Sequence, residues 1–208
     1  LTSGSVVSGL DFATVESTTG LRGTLSTDAT WTLSSSPYVV TGNILVPENV
    51  TLTIEPGVEV LVEPGLDIFI QVEGTLEAVG SPESPIVFSS LEEGSESRIA
   101  WQGLKLESTS VTTKDAGGNV SGTQFQHVVI RNAQRAIRLN GAAFFGREIR
   151  LEHNDVGIDL WVPGIQGFEL LDSQIANNRL GINQFYNCFS CDVLHQSLIV
   201  SGNRFVDN

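Results

Sequence analysis

The sequence predicts an all-β solenoid, a stack of about six or seven coils with three short strands in each. Three observations predict it. Runs of three to six residues alternate apolar and polar, as in "TLTI", "VEVLVE", "IFIQV", "PIVF" and "LKL", which is the two-residue period of a half-buried strand. Gly, Pro, Asn and Ser separate these runs, and no stretch of a dozen residues carries the i, i+3, i+4, i+7 spacing of a helix. The pattern also returns at a near-constant interval of 21–24 residues.

Residues 1–30, rich in Ser, Thr and Gly, precede the repeat. Their spaced Val6, Val7, Leu10, Phe12 and Val15 favour a segment that packs, as an extended strand or a cap over the first coil. From residue 31 the strands are short and the turns sharp. Pro56-Gly57 and Pro64-Gly65 each fit the centre of a type II turn, with proline presetting the first φ and glycine taking the positive one. "NVTL" (49–52) aligns with "EGTL" (73–76) at an offset of 24. The insert "STSVTTKDAGGNVSG" (108–122) reads as a polar loop projecting from one coil, the kind of place where a scaffold carries specificity.

The repeat is clearest after residue 128. "VIRNAQRAIRL" (129–139) aligns with "RLEHNDVGIDL" (150–160) at 21, and that with "QIANNRLGINQ" (174–184) at 24. "RFVDN" (204–208) follows "QIANN" (174–178) at 30, with "FYNCFSCDVLHQ" lying between the two copies. Stacked at the strand spacing, Ile130, Leu151, Ile175 and Phe205 form one inward ladder and Ile137, Ile158 and Ile182 another. The latter three each follow a small residue (Ala136, Gly157, Gly181), which suits a tight corner. Asn132, His153, Asn177 and Asp207 share one corner position, and Ala133, Asn154, Asn178 and Asn208 share the next. Asparagine tolerates a left-handed backbone, and its amide can bond the amide of the coil above.

With these residues in place, the chain resembles the right-handed, single-stranded parallel β-helix repeat proteins (pectate-lyase-like) found on bacterial and archaeal surfaces. The opening coils carry the sharper likeness: "WTLSSSPYVVTGNILVPENVTLTIEPGVEV", "VEGTLEAVGSPESPIVFSS" and "WQGLKL". The resemblance covers about residues 31–208. It implies the fold, an extracellular or cell-surface location, and a choice among lyases, adhesins, carbohydrate-binding modules and structural surface proteins.

Composition narrows that choice. Acids outnumber bases 24 to 11, for a formal net charge of −13, which argues against nucleic acid as a partner. Residues 1–104 carry 14 acids against Arg22 and Arg98, whereas residues 105–208 carry 10 acids against nine bases. One end should be strongly acidic and the other nearly neutral. No apolar run reaches the length of a membrane-spanning helix. The chain starts at Leu1 and contains no Met, which points to a processed or trimmed chain. Cys188 and Cys191 read as a local disulfide or as two inert thiols. With His195 they would make at most three metal ligands, and neither a redox nor a haem context accompanies them.

Enzymes of the resembled kind act on acidic polysaccharides with carboxylates, sometimes Ca2+, and an Arg, Lys or His base. The one dense cluster here is Glu148, Arg150, Glu152, His153, Asp155 and Asp159. Of these, Glu152, His153, Asp155 and Asp159 are the catalytic candidates. The repeat offers a scaffold role instead: Glu152 would stack on Arg131 and Asp159 on Arg138. His127 and His195 have no acidic neighbour in sequence, and with Lys105 and Lys114 as its only lysines the chain lacks a basic groove for a polyuronate. No pattern calls for a cofactor. No Thr-x-Thr face recurs, so an ice-binding surface is not expected. Asn49 and Asn119 head glycosylation sequons. Trp161, Phe185, Tyr186 and Phe189 would pack in the core or stack on sugars.

The final repeat reaches Asn208 on the corner itself. Its last rung, with Asn203, Phe205, Asp207 and Asn208, would expose unpaired strand edges over an apolar cross-section. Such a face would meet further repeats, or the first coil or residues 1–30 of a second copy, which builds a head-to-tail filament. The favoured expectation is therefore a non-catalytic extracellular structural subunit. The alternatives are a polysaccharide-active or sugar-binding β-helix and a fragment of a longer adhesin.

Overall fold

The computed structural model describes residues 20–65, 67–92, 97–110, 112–162, 167–186 and 198–208. The side chains of residues 162, 185, 186 and 198 lie outside that description, as do Phe189, Cys188, Cys191 and His195.

The strands close into coils because each alternating run has one face to bury and each turn redirects the next run by one side of a triangle. Strand β1 (Leu21–Thr24) leads. Coil 1 is β2 (Ala29–Trp31) and the long β3 (Tyr38–Val46). Coil 2 is β4 (Thr51–Ile54), β5 (Glu59–Val62) and β6 (Phe69–Val72). Coil 3 is β7 (Thr75–Val79), β8 (Ile86–Ser90) and β9 (Gly103–Glu107). A hairpin of β10 (Thr112–Lys114) and β11 (Val120–Gly122) interrupts the winding. Coil 4 is β12 (Gln124–Gln126), β13 (Val128–Arg131) and β14 (Arg135–Asn140). Coil 5 is β15 (Phe144–Arg147), β16 (Arg150–Glu152) and β17 (Val156–Val162). Coil 6 is β18 (Phe168–Leu171), β19 (Gln174–Ala176) and β20 (Leu180–Tyr186). Coil 7 adds β21 (Leu198–Ser201) and β22 (Arg204–Val206).

Three faces result. The first is the seven-stranded sheet β2-β4-β7-β12-β15-β18-β21. The second runs β3-β5-β8-β13-β16-β19-β22 and the third β3-β6-β9-β14-β17-β20, joined because β3 contributes its first half to one and its second half to the other. Strand β1 pairs with both halves of β3. Every strand pairing between coils is parallel, and among the described strands only the β10–β11 hairpin is antiparallel; a lone antiparallel bridge, Glu107 to Gly141, lies outside the strand ladders. This is a parallel β-helix with as many coils as the repeat length implies.

The register matches the offsets read from sequence. Thr51 and Leu52 pair with Thr75 and Leu76. Ile130, Leu151, Ile175 and Phe205 stack in order, as do Ile137, Ile158 and Ile182. The first ladder extends upward through Phe88 and Val60 to Tyr38. Its first six members are buried, and only Phe205 is exposed, at 47%. At Gly157 the small residue before the isoleucine is required: a Cβ there would meet the Gly181 carbonyl oxygen and Ile175.

The corners also follow the sequence. Asn132, His153, Asn177 and Asp207 all have φ between 51° and 63°, the left-handed region that Asn, Asp and His enter most readily. Gly57 takes a positive φ of 81°, with Val58 N–H bonded to the Glu55 carbonyl, as a type II turn requires. Pro64-Gly65 departs from that expectation. Gly65 has no positive φ, and its N–H donates to the Ala100 carbonyl, so a long-range bond sets this bend. The 108–122 insert does not project freely either. Its hairpin leans along the first face, where Lys114 Nζ lies 2.8 Å from Glu169 Oε2 on coil 6.

Candidate functional site

Cross-coil register decides what each candidate residue touches. Glu152 ends β16, and Arg131 one coil earlier lies 3.3 Å from it, the stacked pair expected. Asp155 begins the turn into β17 and meets Arg179 of the next coil through two bonds of 2.5 and 3.0 Å. The Arg179 hydrogen bond holds the Asp155 carboxyl below the usual carboxylate range. Asp159 is buried and shares its rung with Arg138. Its ion pair, however, is with Arg135 at 2.8 Å, and Asn183 donates to it at 2.7 Å. The expected Arg138 partner turns away, its guanidinium lying 5.0 Å from the Trp161 ring centroid. His153 is exposed on its left-handed corner.

Each of the three carboxylates Glu152, Asp155 and Asp159 pairs with an arginine of a neighbouring coil, and the Asp155 carboxyl is held below its ordinary range by Arg179. Among the described residues no three His, Cys, Asp or Glu side chains gather as a metal site.

Two features differ from the sequence expectation. His127 does have an acidic neighbour: Nε2 lies 2.7 Å from Glu148 Oε2 on the next coil. Both residues sit on left-handed corners, with φ of 47° and 54°. The offset of 21 that aligns coils 4 and 5 also aligns this pair, so the signal was present in the sequence. The third face, second, carries a short cationic stripe. Lys105 and Arg138 are register partners, with Arg135 alongside. Lys105 Nζ sits 3.4 Å from the Phe69 ring centroid, and burial, then Arg138, push its pKa below the ordinary lysine value. Glu107, bonded to Asn140 at 2.9 Å, and Asp159 interleave with the cations. Exposed Trp161 completes the face. Lys105 and Arg138 are 33 residues apart because the hairpin insert lengthens that coil, so the constant repeat could not reveal their contact.

The outer end of the stack is the other candidate surface. Val200 and Phe205 are 41% and 47% exposed, and Ile199 and Leu180 lie beside them at 40% and 38%. Asn203 is half-buried, whereas Asp207 and Asn208 are exposed. Strands β20, β21 and β22 are the outermost members of their faces.

Comparison with known proteins gives a family match over residues 23–126, to the pectate-lyase-like beta helix domain. Searches of curated proteins and of solved structures returned no match. The matched segment covers half of the chain, from β1 through β12, and coils 4–7 extend it in register. The charged cluster and the outer end lie beyond the matched residues. Sequence, register and family match agree: the chain belongs to the pectate-lyase-like beta helix domain family.

Proposed function

We propose that this protein is a non-catalytic structural β-helix of the cell exterior that joins end to end with a neighbouring β-helix through coil 7. The observation that carries the reading is Phe205, the exposed member of a ladder whose other six residues are buried. Covering a half-exposed phenylalanine stabilises a contact by about 1 kcal/mol, and the adjoining strand edges add backbone bonds that only another β-strand supplies. The arginine-held carboxylates support the scaffold side of the reading. A second copy stacked head to tail is the simplest neighbour, and repetition of that contact gives a filament or a surface layer.

Sedimentation velocity over a concentration series tests the joining. The full chain is expected to associate reversibly, and Phe205→Asp to abolish association while keeping the far-ultraviolet spectrum of the fold. A wild-type chain that stays monomeric, or a Phe205→Asp chain that associates as well, overturns the reading.

A second reading is favoured by the third face, where Trp161 offers a flat ring beside Arg138, Asn140 and Asn183. Such a surface suits a sugar ring with hydrogen-bonding neighbours. Glycan binding lost in Trp161→Ala, with association unchanged, would select it. Turnover of an acidic polysaccharide, abolished by Asp155→Ala or Glu152→Ala, would show a catalytic role instead.

A further inference from the structure

Outward positions of the third face stack in columns that the register defines. One column runs Gln71, Lys105, Arg138, Asp159 and Asn183 through coils 2 to 6. Register partners on adjacent strands lie about 4.8 Å apart along the stack. Lys105 and Arg138 are therefore two cations set directly against each other, in a chain whose formal net charge is −13. Like charges directly opposite destabilise a sheet. Acids on neighbouring coils neutralise the cations Arg131, Arg135 and Arg179. Arg138 has an acid in register, Asp159, but that carboxylate is taken by Arg135 at 2.8 Å and Asn183 at 2.7 Å. Glu107, two residues after Lys105 on the same strand, accepts from Asn140 at 2.9 Å. Among the described residues neither Lys105 nor Arg138 makes a salt bridge.

Aromatic rings hold these two cations instead. Lys105 Nζ lies 3.4 Å from the Phe69 ring centroid, one coil before it, and the Arg138 guanidinium lies 5.0 Å from that of Trp161, one coil after it. A ring face orients a cation without neutralising it, and ammonium and guanidinium keep several N–H donors to offer. Both side chains are half-buried, which strengthens any charge-assisted bond they make. Arg138 Nε is buried without a hydrogen-bond partner among the described residues. Burial and the Arg138 charge push the Lys105 pKa down, as uncompensated like charges should.

We infer that the third face binds one tetrahedral oxyanion, a sulfate or phosphate monoester, between Lys105 and Arg138. The terminal oxygens of such a group point in three directions and can accept from an ammonium and a guanidinium on adjacent rungs at once. A planar carboxylate fits one guanidinium fork and leaves the second cation less well served. The column also limits the ligand to a single charged group. Neutral Gln71 precedes the two cations, Asp159 follows them, and Glu107 lies alongside, so a second anion would meet no cation in the column and two carboxylates. The site lies within coils 3 and 4 and stands apart from end-to-end joining.

Nuclear magnetic resonance titration of the full chain at constant ionic strength tests the inference. The probes are methyl sulfate, methyl phosphate and acetate, which share one small alkyl group and differ in the anion. Methyl sulfate and methyl phosphate are expected to shift the backbone amides of Lys105 and Arg138 saturably, with acetate binding about tenfold more weakly. The tighter of the two esters names the natural source of the anion. Lys105→Gln and Arg138→Gln should each weaken ester binding about tenfold, the loss of one charge-assisted bond, while Arg147→Gln on the first face should not change it. The two variants act separately, so if one fails to keep the far-ultraviolet spectrum of the fold the other still decides. No saturable shift with either ester, acetate bound as tightly as the esters, or ester binding unchanged in a folded Lys105→Gln or Arg138→Gln chain overturns the inference.

Discussion

Asn178→Ala tests the corner ladder at its most buried point. Asn178 is 1% exposed and Asn154 is 0% exposed. The Asn178 side chain accepts from Asn154 N–H and Asn154 Nδ2, and donates to the Leu151 carbonyl and Asn208 Oδ1, all at 2.9–3.0 Å. Alanine removes all four bonds and strands two backbone groups, Asn154 N–H and the Leu151 carbonyl, where water has little access. At about 1–3 kcal/mol for each of the two stranded groups, the loss should reach about 2–6 kcal/mol. Asn208→Ala removes the same kind of bonds from an exposed corner, where water replaces them, and should cost below about 1.5 kcal/mol. The assay is urea unfolding of both variants, with amide exchange at residue 154 as the local readout, because coil stacks need not unfold in a single step. If Asn178→Ala costs no more than Asn208→Ala, the amide ladder does not stabilise the stack and the reasoning fails.

Other consequences concern the ion pairs. Arg135→Ala removes the ion pair of Asp159, whose side chain is 5% exposed, and leaves the hydrogen bond from Asn183. It should cost up to about 3 kcal/mol, and adding Asp159→Asn should recover part of that; a neutral Arg135→Ala would place the pair outside the stabilising network. The depressed pKa of Asp155 sets a pH dependence. Its unfolded value is near 3.8, so the pair's stabilisation is fully present above that pH and disappears as the pH falls through the lower folded value. The urea midpoint of the wild type should therefore drop more steeply below pH 4 than that of Arg179→Ala, and parallel curves would contradict the assignment.

Much of the fold was legible because inward residues repeat at a fixed interval. Ile130, Leu151, Ile175 and Phe205 must occupy one ladder once the offsets are 21, 24 and 30, since a slip by one residue turns every side chain outward. The Asn154–Asn178–Asn208 corner was legible for the same reason. Outward residues are less constrained. Asp159 shares a rung with Arg138, yet takes Arg135, because a long side chain reaches a diagonal neighbour as easily as a direct one. Lys105 and Arg138 escaped notice because the hairpin insert breaks the interval between them. At Pro64-Gly65 the local turn motif yielded to a bond with Ala100 that local sequence cannot reveal.

The central claim is that the stack continues through coil 7 into a neighbour. Negative-stain electron microscopy of the purified full chain at high concentration tests it most directly. Seven coils at the strand spacing span about 30 Å, so the account predicts rods of constant width whose lengths step by about that amount, and no rods for Phe205→Asp. Single short particles at every concentration, or rods that thicken by side-to-side contact and persist in Phe205→Asp, would contradict it.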